Sequence, residues 1–543
     1  MFVYTSGPAG FIAALYDQLG FGKIIDDLLP WDPAQCLMSP GTRIKAMVIN
    51  IFCGRRPLYR VNEFYSGMDT GNLFGLGITP EDLSDYNLAR ALDKLHQAGE
   101  EKVFSTLSMH AICQEKIPIT FIHSDTTSRS FYGEYEEDDD ELDITKGYSK
   151  DRRPDLNQVI VGLGVTGDKI PILADVENGN TDDKTWNFKF MAKLSKVLSP
   201  ELLQEVIYVA DSAMITENNL EQAAKNSLRF ISRFPGNFSL EKELKAKAWQ
   251  QDNWEPLGSF SDAKKAATYK SQPFIEELDG RKYRFIVVHS SVLDGRKARS
   301  LEKKLSETRR LQEKAIKEAE KQCYACLPDA QQALSEFLHK HRDPFSPVQG
   351  QVVTEEKRKP GRQPKNGVPN TVTSYRLQFE ILTDDEAIVK EKERQSCFVL
   401  ITNLLDQYSD REILKEYKQQ INVETSFKFI KDPLYVGAVY LKKKGRVKAL
   451  SYVILIALLL FHLMERRVRE AMKQETEPLL IPGKKKTFKP TGEKILQSLE
   501  NMIVMTTPDP LRREFPRNLK VPERLFHLAN INPGVYLQVR GDP

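Results

Sequence analysis

Apolar positions recur at three- and four-residue spacing through the first 110 residues, the period of a helix rather than a strand. Residues 43–53 (RIKAMVINIFC) carry an amphipathic helical pattern, and Ser39-Pro40 before them supplies an N-cap and a proline at the first helical position. Thr79-Pro80-Glu81-Asp82 is a second start signal. Beyond it, residues 84–96 (SDYNLARALDKLH) place Leu88, Ala91, Leu92 and Leu95 on one face. The pattern predicts a compact helical domain over residues 1–110.

At residue 117 the period changes. Residues 117–124 (IPITFIHS), 158–165 (QVIVGLGV), 170–176 (IPILADV) and 205–210 (EVIYVA) are short β-branched runs bounded by Gly, Asp or Pro, as buried strands are. Helical patterns intervene at 186–198 and 217–226, so residues 111–238 read as an α/β layer with a central mixed sheet. The alternation then breaks. Residues 239–394 read as an insertion holding an isolated strand at 283–289, a long charged helix from 298 to about 323 and an exposed loop at 355–369. Strands at 375–381 and 397–402 resume the β pattern. Residues 395–470 return to the α/β layer, and 471–543 form a helical tail.

A chain of 543 residues is too long for one ordinary hydrophobic core, in keeping with several domains. Six scattered cysteines and an N-terminus without a basic, then apolar, leader predict a reducing cytoplasmic setting. Cys323 and Cys326 have metal-ligand spacing but no second Cys or His pair nearby, so they read as a plain helical pair. The most apolar run, residues 449–464, is shorter than the roughly 20 residues that span a bilayer and has Lys448 and Glu465 at its edges. It predicts a buried helix and no membrane partner.

Net charge is only +3, but residues 427–470 hold ten Lys or Arg against three Asp or Glu. A polyanion would favour such a cluster. Residues 1–110 are net acidic, nine basic against twelve acidic, with the positive charge concentrated between Arg43 and Arg60. That domain either presents one basic face to DNA or mediates dimer contacts.

The candidate chemistry lies at strand ends. Asp125 follows the run TFIHS and Asp211 follows VIYVA, where open α/β sheets build their sites. A third acid, Glu424, lies on a stripe with Tyr417, Gln420, Phe427 and Lys431, all spaced by three or four. The stripe predicts that Glu424 sits among apolar side chains, a costly place for an acid unless it is paired or bound to a metal.

The spacing Tyr417-x2-Gln420-x3-Glu424-x6-Lys431 resembles the Y-x2-R-x3-E-x6-K signature of the bacterial cut-and-paste insertion-sequence DDE transposases, with Gln420 in the Arg slot. Other blocks are similar to that family's as well: Ser124-Asp125-Thr126-Thr127, residues 147–158 (GYSKDRRPDLNQ), Ala210-Asp211-Ser212-Ala213 and Phe230-Ile231-Ser232-Arg233. The resemblance covers residues 117–235 and 395–465, and the region before is similar to the helical N-terminal domain of one branch of these enzymes. It implies an α/β, RNase H-like catalytic core with a helical N-terminal domain and a mixed β and helical insertion before the last catalytic helix.

The resemblance also implies a DNA transposase whose Asp125, Asp211 and Glu424 are catalytic and hold two Mg²⁺ ions, Mn²⁺ substituting, with Asp125 bridging. Phosphodiester cleavage needs an activated water and stabilised attacking and leaving oxygens, which two ions about 4 Å apart supply. Hard cations of this kind take oxygen ligands. The implied partners are double-stranded DNA, both transposon inverted repeats and target, and a second copy of the chain on paired ends. Tyr417 and Lys431 inherit phosphate contacts, with Lys428 a further DNA-binding candidate; Gln420 occupies the same DNA-facing slot but offers a neutral amide in place of a charged fork. The rival readings are a domesticated transposase that binds DNA without cutting it, and an RNase H-fold nuclease or resolvase.

Three further features carry expectations. Residues 357–365 (KRKPGRQPK), with Arg358 and Arg362, resemble basic segments that enter a minor groove. Trp249 and Trp254 are candidates to stack on a flipped base. The acidic run 134–143 reads as a solvated loop, and His123 as a neighbour of the site rather than a ligand.

Overall fold

The computed structural model describes the whole chain except Met1 and residues 133–134, 136–141, 262–265, 359–370, 433–440, 509–510 and 539–543. The chain divides into two compact units, one of residues 1–232 with 413–543 and one of residues 233–412.

The first unit holds the sheet that the β-branched runs predict. Its strands are β1 (Phe121–Phe131), β2 (Asn157–Thr166), β3 (Pro171–Glu177), β4 (Ile207–Ala210) and β5 (Arg229–Arg233), in the order β3-β2-β1-β4-β5. The β1-β2 and β2-β3 pairs are antiparallel, whereas β4 runs parallel to β1 and β5 parallel to β4. This three-stranded meander extended by two parallel strands is an RNase H-like core. Both faces are covered, so β2 and β3 read as nearly unbroken apolar runs.

The N-terminal helices form where the periodicity places them. Ser39 accepts a hydrogen bond from the Thr42 N–H at the start of the Pro40–Ile49 helix. Thr79 and Asp82 make a capping box, but on a single 3₁₀ turn, Pro80–Leu83; the longer helix, Asp85–Ala98, is capped by Ser84. Leu88, Ala91, Leu92 and Leu95 are all buried. The apolar run extends into a 29-residue helix, Lys444–Met472, which is long and apolar enough to cross a membrane. Here 89% of its most apolar stretch is buried against the Pro40–Ile49, Asp85–Ala98 and Glu100–Gln114 helices and β3. The Tyr452 hydroxyl donates to the Ala174 carbonyl of β3 at 3.0 Å, one polar anchor in that interface.

The expected helical tail is mixed instead. Strand Val504–Pro508 pairs with both Phe2–Tyr4 and Leu511–Glu514, and the Tyr536 hydroxyl donates to Gly7 O at 2.7 Å. These short strands escape periodicity because three to five residues are too few to set a period.

The second unit is richer in strands than expected. The run at 283–289 is not isolated: it belongs to β8 (Arg281–Ser290), which pairs with β7 (Thr268–Leu278), itself paired with β6 (Glu255–Ser259). On its other edge β8 pairs with β11 (Cys397–Thr402). The hairpin of β9 (Val348–Arg358) and β10 (Thr371–Ile381) takes in residues 355–358, which the sequence assigns to a loop. β10 keeps the alternation expected at 375–381, whereas residues 355–358 of β9 are charged and mostly exposed and so lack it. The charged helix runs Ser291–Ala319 and ends before Cys323, so Cys323 and Cys326 are exposed and non-helical.

Candidate active site

Register brings the first two acids together. The parallel pairing of β1 with β4 ends at His123 opposite Val209. Asp125 and Asp211 each lie two residues further, and Asp211 keeps extended backbone (φ −76°, ψ −176°), so both carboxylates emerge on one face of neighbouring strands. Asp125 is not at a strand end, since β1 continues to Phe131 along β2; it stands where β1 outruns its parallel neighbour. The Ala213 N–H donates to Asp211 Oδ1 at 3.0 Å, and the Ser232 hydroxyl donates to the Asp211 carbonyl at 2.7 Å.

The electrostatics are those of crowded acids. Burial pushes the Asp125 carboxyl up to about 6, with Asp211 and Asp183 adding to the rise and Lys150 and the Thr126 N–H opposing it. Burial likewise raises the Asp211 carboxyl, opposed by the Ala213 N–H, with Asp183 raising it further and Lys150 lowering it. Carboxylates so placed favour a cation between them.

Two members of this cluster were not among the acids read from the sequence. Asp183 opens the Asp183–Val197 helix and accepts from the Thr126 hydroxyl. Lys150 reaches Asp183 Oδ1 at 3.1 Å, Thr126 Oγ1 at 2.6 Å, the Thr126 carbonyl at 2.9 Å and Asp125 Oδ1 at 3.7 Å. Its place in the GYSKD block was the available signal. Asp183 carries no such signal, standing beside Asp182, which caps the helix.

The third acid lies on a helix packed against β1. The predicted stripe is interrupted: one helix spans Asp410–Lys418, and a second, Ile421–Lys431, starts after Gln420. Gln420 donates its amide to the Ser124 carbonyl at 3.1 Å, which joins the start of this helix to the residue before Asp125. Glu424 follows one turn later, but it is exposed, not set among apolar side chains; Val423, Phe427, Phe429 and Ile430 take the buried side. Helical spacing gives the stripe but not which way it faces. Among the described residues no three His, Cys, Asp or Glu side chains converge on one ion-sized point. The donor chemistry of Asp125 and Asp211, paired oxygen ligands of raised affinity for protons, fits a hard divalent ion.

The remaining sequence candidates distribute unevenly. Lys431 is ion-paired with Asp151, the residue after Lys150, so consecutive residues of the GYSKD block grip Asp125 and the signature lysine. Tyr417 is half-buried and Lys428 exposed. The Gln420 amide, part-buried, donates to main chain. Arg358 ends β9 and is exposed, while Arg362 and most of the 357–365 segment lie outside the described residues, as does most of the acidic run. His123 is fully buried, pushed down to about 4 by desolvation, with Glu416 at 4.0 Å.

Packing bears on two further expectations. Trp249 and Trp254 meet edge-to-face at 5.1 Å with His289 against both, and the Lys270 ammonium lies 4.5 Å from each ring. In the chain itself the two rings meet one another, His289 and a cation. Of the ten basic residues in 427–470, Lys431, Arg446, Arg466, Arg467 and Arg469 are ion-paired within the chain. Counting charges in sequence does not reveal partners brought in by the fold. In the N-terminal cluster Arg43 and Lys45 are buried, Lys45 against Asp17, so no single basic face runs from 43 to 60.

An RNase H-like sheet with two carboxylates in register on adjacent parallel strands, and a third acid on a helix laid against them, is the framework of a carboxylate-centred nuclease or strand-transfer enzyme. Comparison with known families makes the assignment specific. The family described as "Transposase DDE domain" matches residues 130–460, and the chain belongs to it. Residues 7–109 match "Domain of unknown function (DUF4277)", the span of the helical N-terminal domain. The chain is a DNA transposase, an enzyme of DNA cleavage and strand transfer. The family match includes Asp211 and Glu424 and begins just past Asp125. No curated protein matches. Among solved structures, the cryo-EM structure of a piggyBac transposase synaptic complex with hairpin DNA is similar at 9% identity and a TM-score of 0.39, over 91% of this chain and 79% of that one.

Proposed function

We propose that this transposase works by cut-and-paste, hydrolysing phosphodiester bonds at the inverted-repeat ends of its element and joining the freed ends to target DNA. The observation that carries the reading is the register of Asp125 with Asp211, two crowded carboxylates with raised proton affinity on one face of adjacent strands. Asp125 and Asp211 would hold divalent ions, Mg²⁺ with Mn²⁺ as substitute, and Glu424 would complete the set when DNA closes over its exposed helix. Such ions supply an activated water and stabilise charge on attacking and leaving oxygens.

The chain's own residues do the rest. Asp125 would hold an ion together with Asp211, whose rotamer the Ala213 N–H fixes. Gln420 holds the Ile421–Lys431 helix to the Asp125 strand. Tyr417 and the exposed Lys428, on the helices before and after Gln420, would contact phosphate, and Lys431 would exchange Asp151 for phosphate as a compact point charge. Arg358 and Arg362 grip DNA from the second unit. Two copies of the chain act on paired ends, in the cytoplasm where chromosomal DNA is accessible.

The test is excision from a plasmid carrying the gene's two flanking segments. With purified protein and Mg²⁺, double-strand breaks at both segment ends and joined products in a second plasmid are expected. Binding of those ends with no strand broken in Mg²⁺ or Mn²⁺ would contradict the reading and favour a DNA-binding role.

A further inference from the structure

Lys150 stands where two kinds of charge compete. Its ammonium is 3.7 Å from Asp125 Oδ1, yet its shorter bonds go elsewhere, to Asp183 and to both oxygens of Thr126. Asp183 therefore anchors the lysine independently of Asp125. The Lys150 N–H is also fixed, donating to Ser128 Oγ at 2.9 Å, so the backbone that presents the side chain is tied to β1. The result is a fixed positive charge beside the carboxylate pair, with about a quarter of its side chain in contact with solvent.

A charge so placed opposes any cation that approaches Asp125 and attracts any phosphate that approaches the same opening. We propose that Lys150 is a positioning residue that couples metal loading to DNA: in the free protein it neutralises Asp125 and weakens ion binding, and arriving phosphate draws it off. DNA then raises ion affinity, and by linkage the ion raises DNA affinity by the same factor. This would keep the acids poorly metallated away from DNA, restraining hydrolysis of unselected strands. The inference rests on the proposal that Asp125 and Asp211 hold the ions.

The experiment is a Mn²⁺ titration of the full chain at pH 8, followed by electron paramagnetic resonance, with and without a cleavage-blocked DNA end. Removing a unit charge about 4–6 Å from a divalent ion is worth at least about tenfold in affinity even at water-like screening. Lys150→Met is therefore expected to bind Mn²⁺ about tenfold more tightly than wild type without DNA, and the further gain on adding DNA is expected to shrink by about the same factor. Lys150→Arg, which keeps the charge, should restore wild-type coupling. Lys150→Gln, which keeps a donor for Thr126, serves if Met prevents folding. Unchanged or weaker Mn²⁺ binding in both neutral variants overturns the inference. If wild type shows no Mn²⁺ site that Asp125→Asn removes, the metal reading itself fails, and the inference with it.

Discussion

Asp125 and Asp211 stand at the same level of two adjacent parallel strands, each two residues past the last paired position. Everything else near the site is arranged around that coincidence: Lys150 and Asp183 from one side, and the Ile421–Lys431 helix, tied by Gln420 to Ser124, from the other.

The crowding has a measurable cost. The Asp125 carboxyl is raised from 3.8 to about 6 in the fold, so it adds stability only while protonated and that contribution is lost as pH rises from about 4 through 6. In metal-free protein Asp125→Asn should match wild type near pH 4 and exceed it by about 2 kcal/mol at pH 7.5, less than the full shift because the side chain keeps some solvent. Urea unfolding at the two pH values checks this; a gap that does not change with pH would contradict it.

Gln420 is expected to act through its donor. Gln420→Glu places a second acceptor against the Ser124 carbonyl, leaves that bond unmade, and should cost about 1–3 kcal/mol along with most end cleavage. Gln420→Arg keeps a donor and should be milder. Unfolding curves and nicking assays of both variants separate the outcomes; equal effects would argue that the bond is incidental.

Behind the site, Lys193 neutralises Asp175, which is fully buried on β3 and also accepts from the Trp186 indole at 3.2 Å. Lys193→Met leaves an uncompensated buried acid and should lower stability by about 3 kcal/mol. Guanidinium unfolding would measure it, and a change within error would show that water replaces the lysine.

Gly162 of β2 packs against that same Trp186, and an added Cβ would overlap the indole. Gly162→Ala should cost about 1–3 kcal/mol by overpacking and push on the helix whose first turn holds Asp183. Thermal melts, with nicking rates compared at a temperature where both proteins are folded, test whether the push reaches the site.

The sheet was legible because strands buried on both faces write continuous apolar runs, and the N-terminal helices because Leu88, Leu92 and Leu95 keep helical period. Of the β9-β10 hairpin only residues 375–381 were legible, where Tyr375, Leu377, Phe379 and Ile381 alternate with polar residues; the charged end of β9 at 355–358 reads as a loop. At the site, aspartates following β-branched runs and a spaced signature are what the sequence offers for the acids, and the register of Asp125 with Asp211 is in keeping with that reading. The roles of Lys150 and Asp183 were hidden, because a lysine 25 residues from Asp125 in sequence meets it only through the β1-β2 turn of the fold. Conversely, spacing and residue type do not say which face a partner covers: Glu424 is exposed although its stripe places it among apolar residues, and Trp249 and Trp254 pack on one another and on Lys270.

The central claim is that Asp125, Asp211 and Glu424 together carry the chemistry, and single-strand nicking of a labelled element end in Mg²⁺ tests it most directly. Asp125→Asn, Asp211→Asn and Glu424→Gln are each predicted to reduce nicking by at least about a thousandfold while end binding stays within a few-fold of wild type. Nicking at the wild-type rate by any one of the three would remove that residue from the catalytic set and contradict the account.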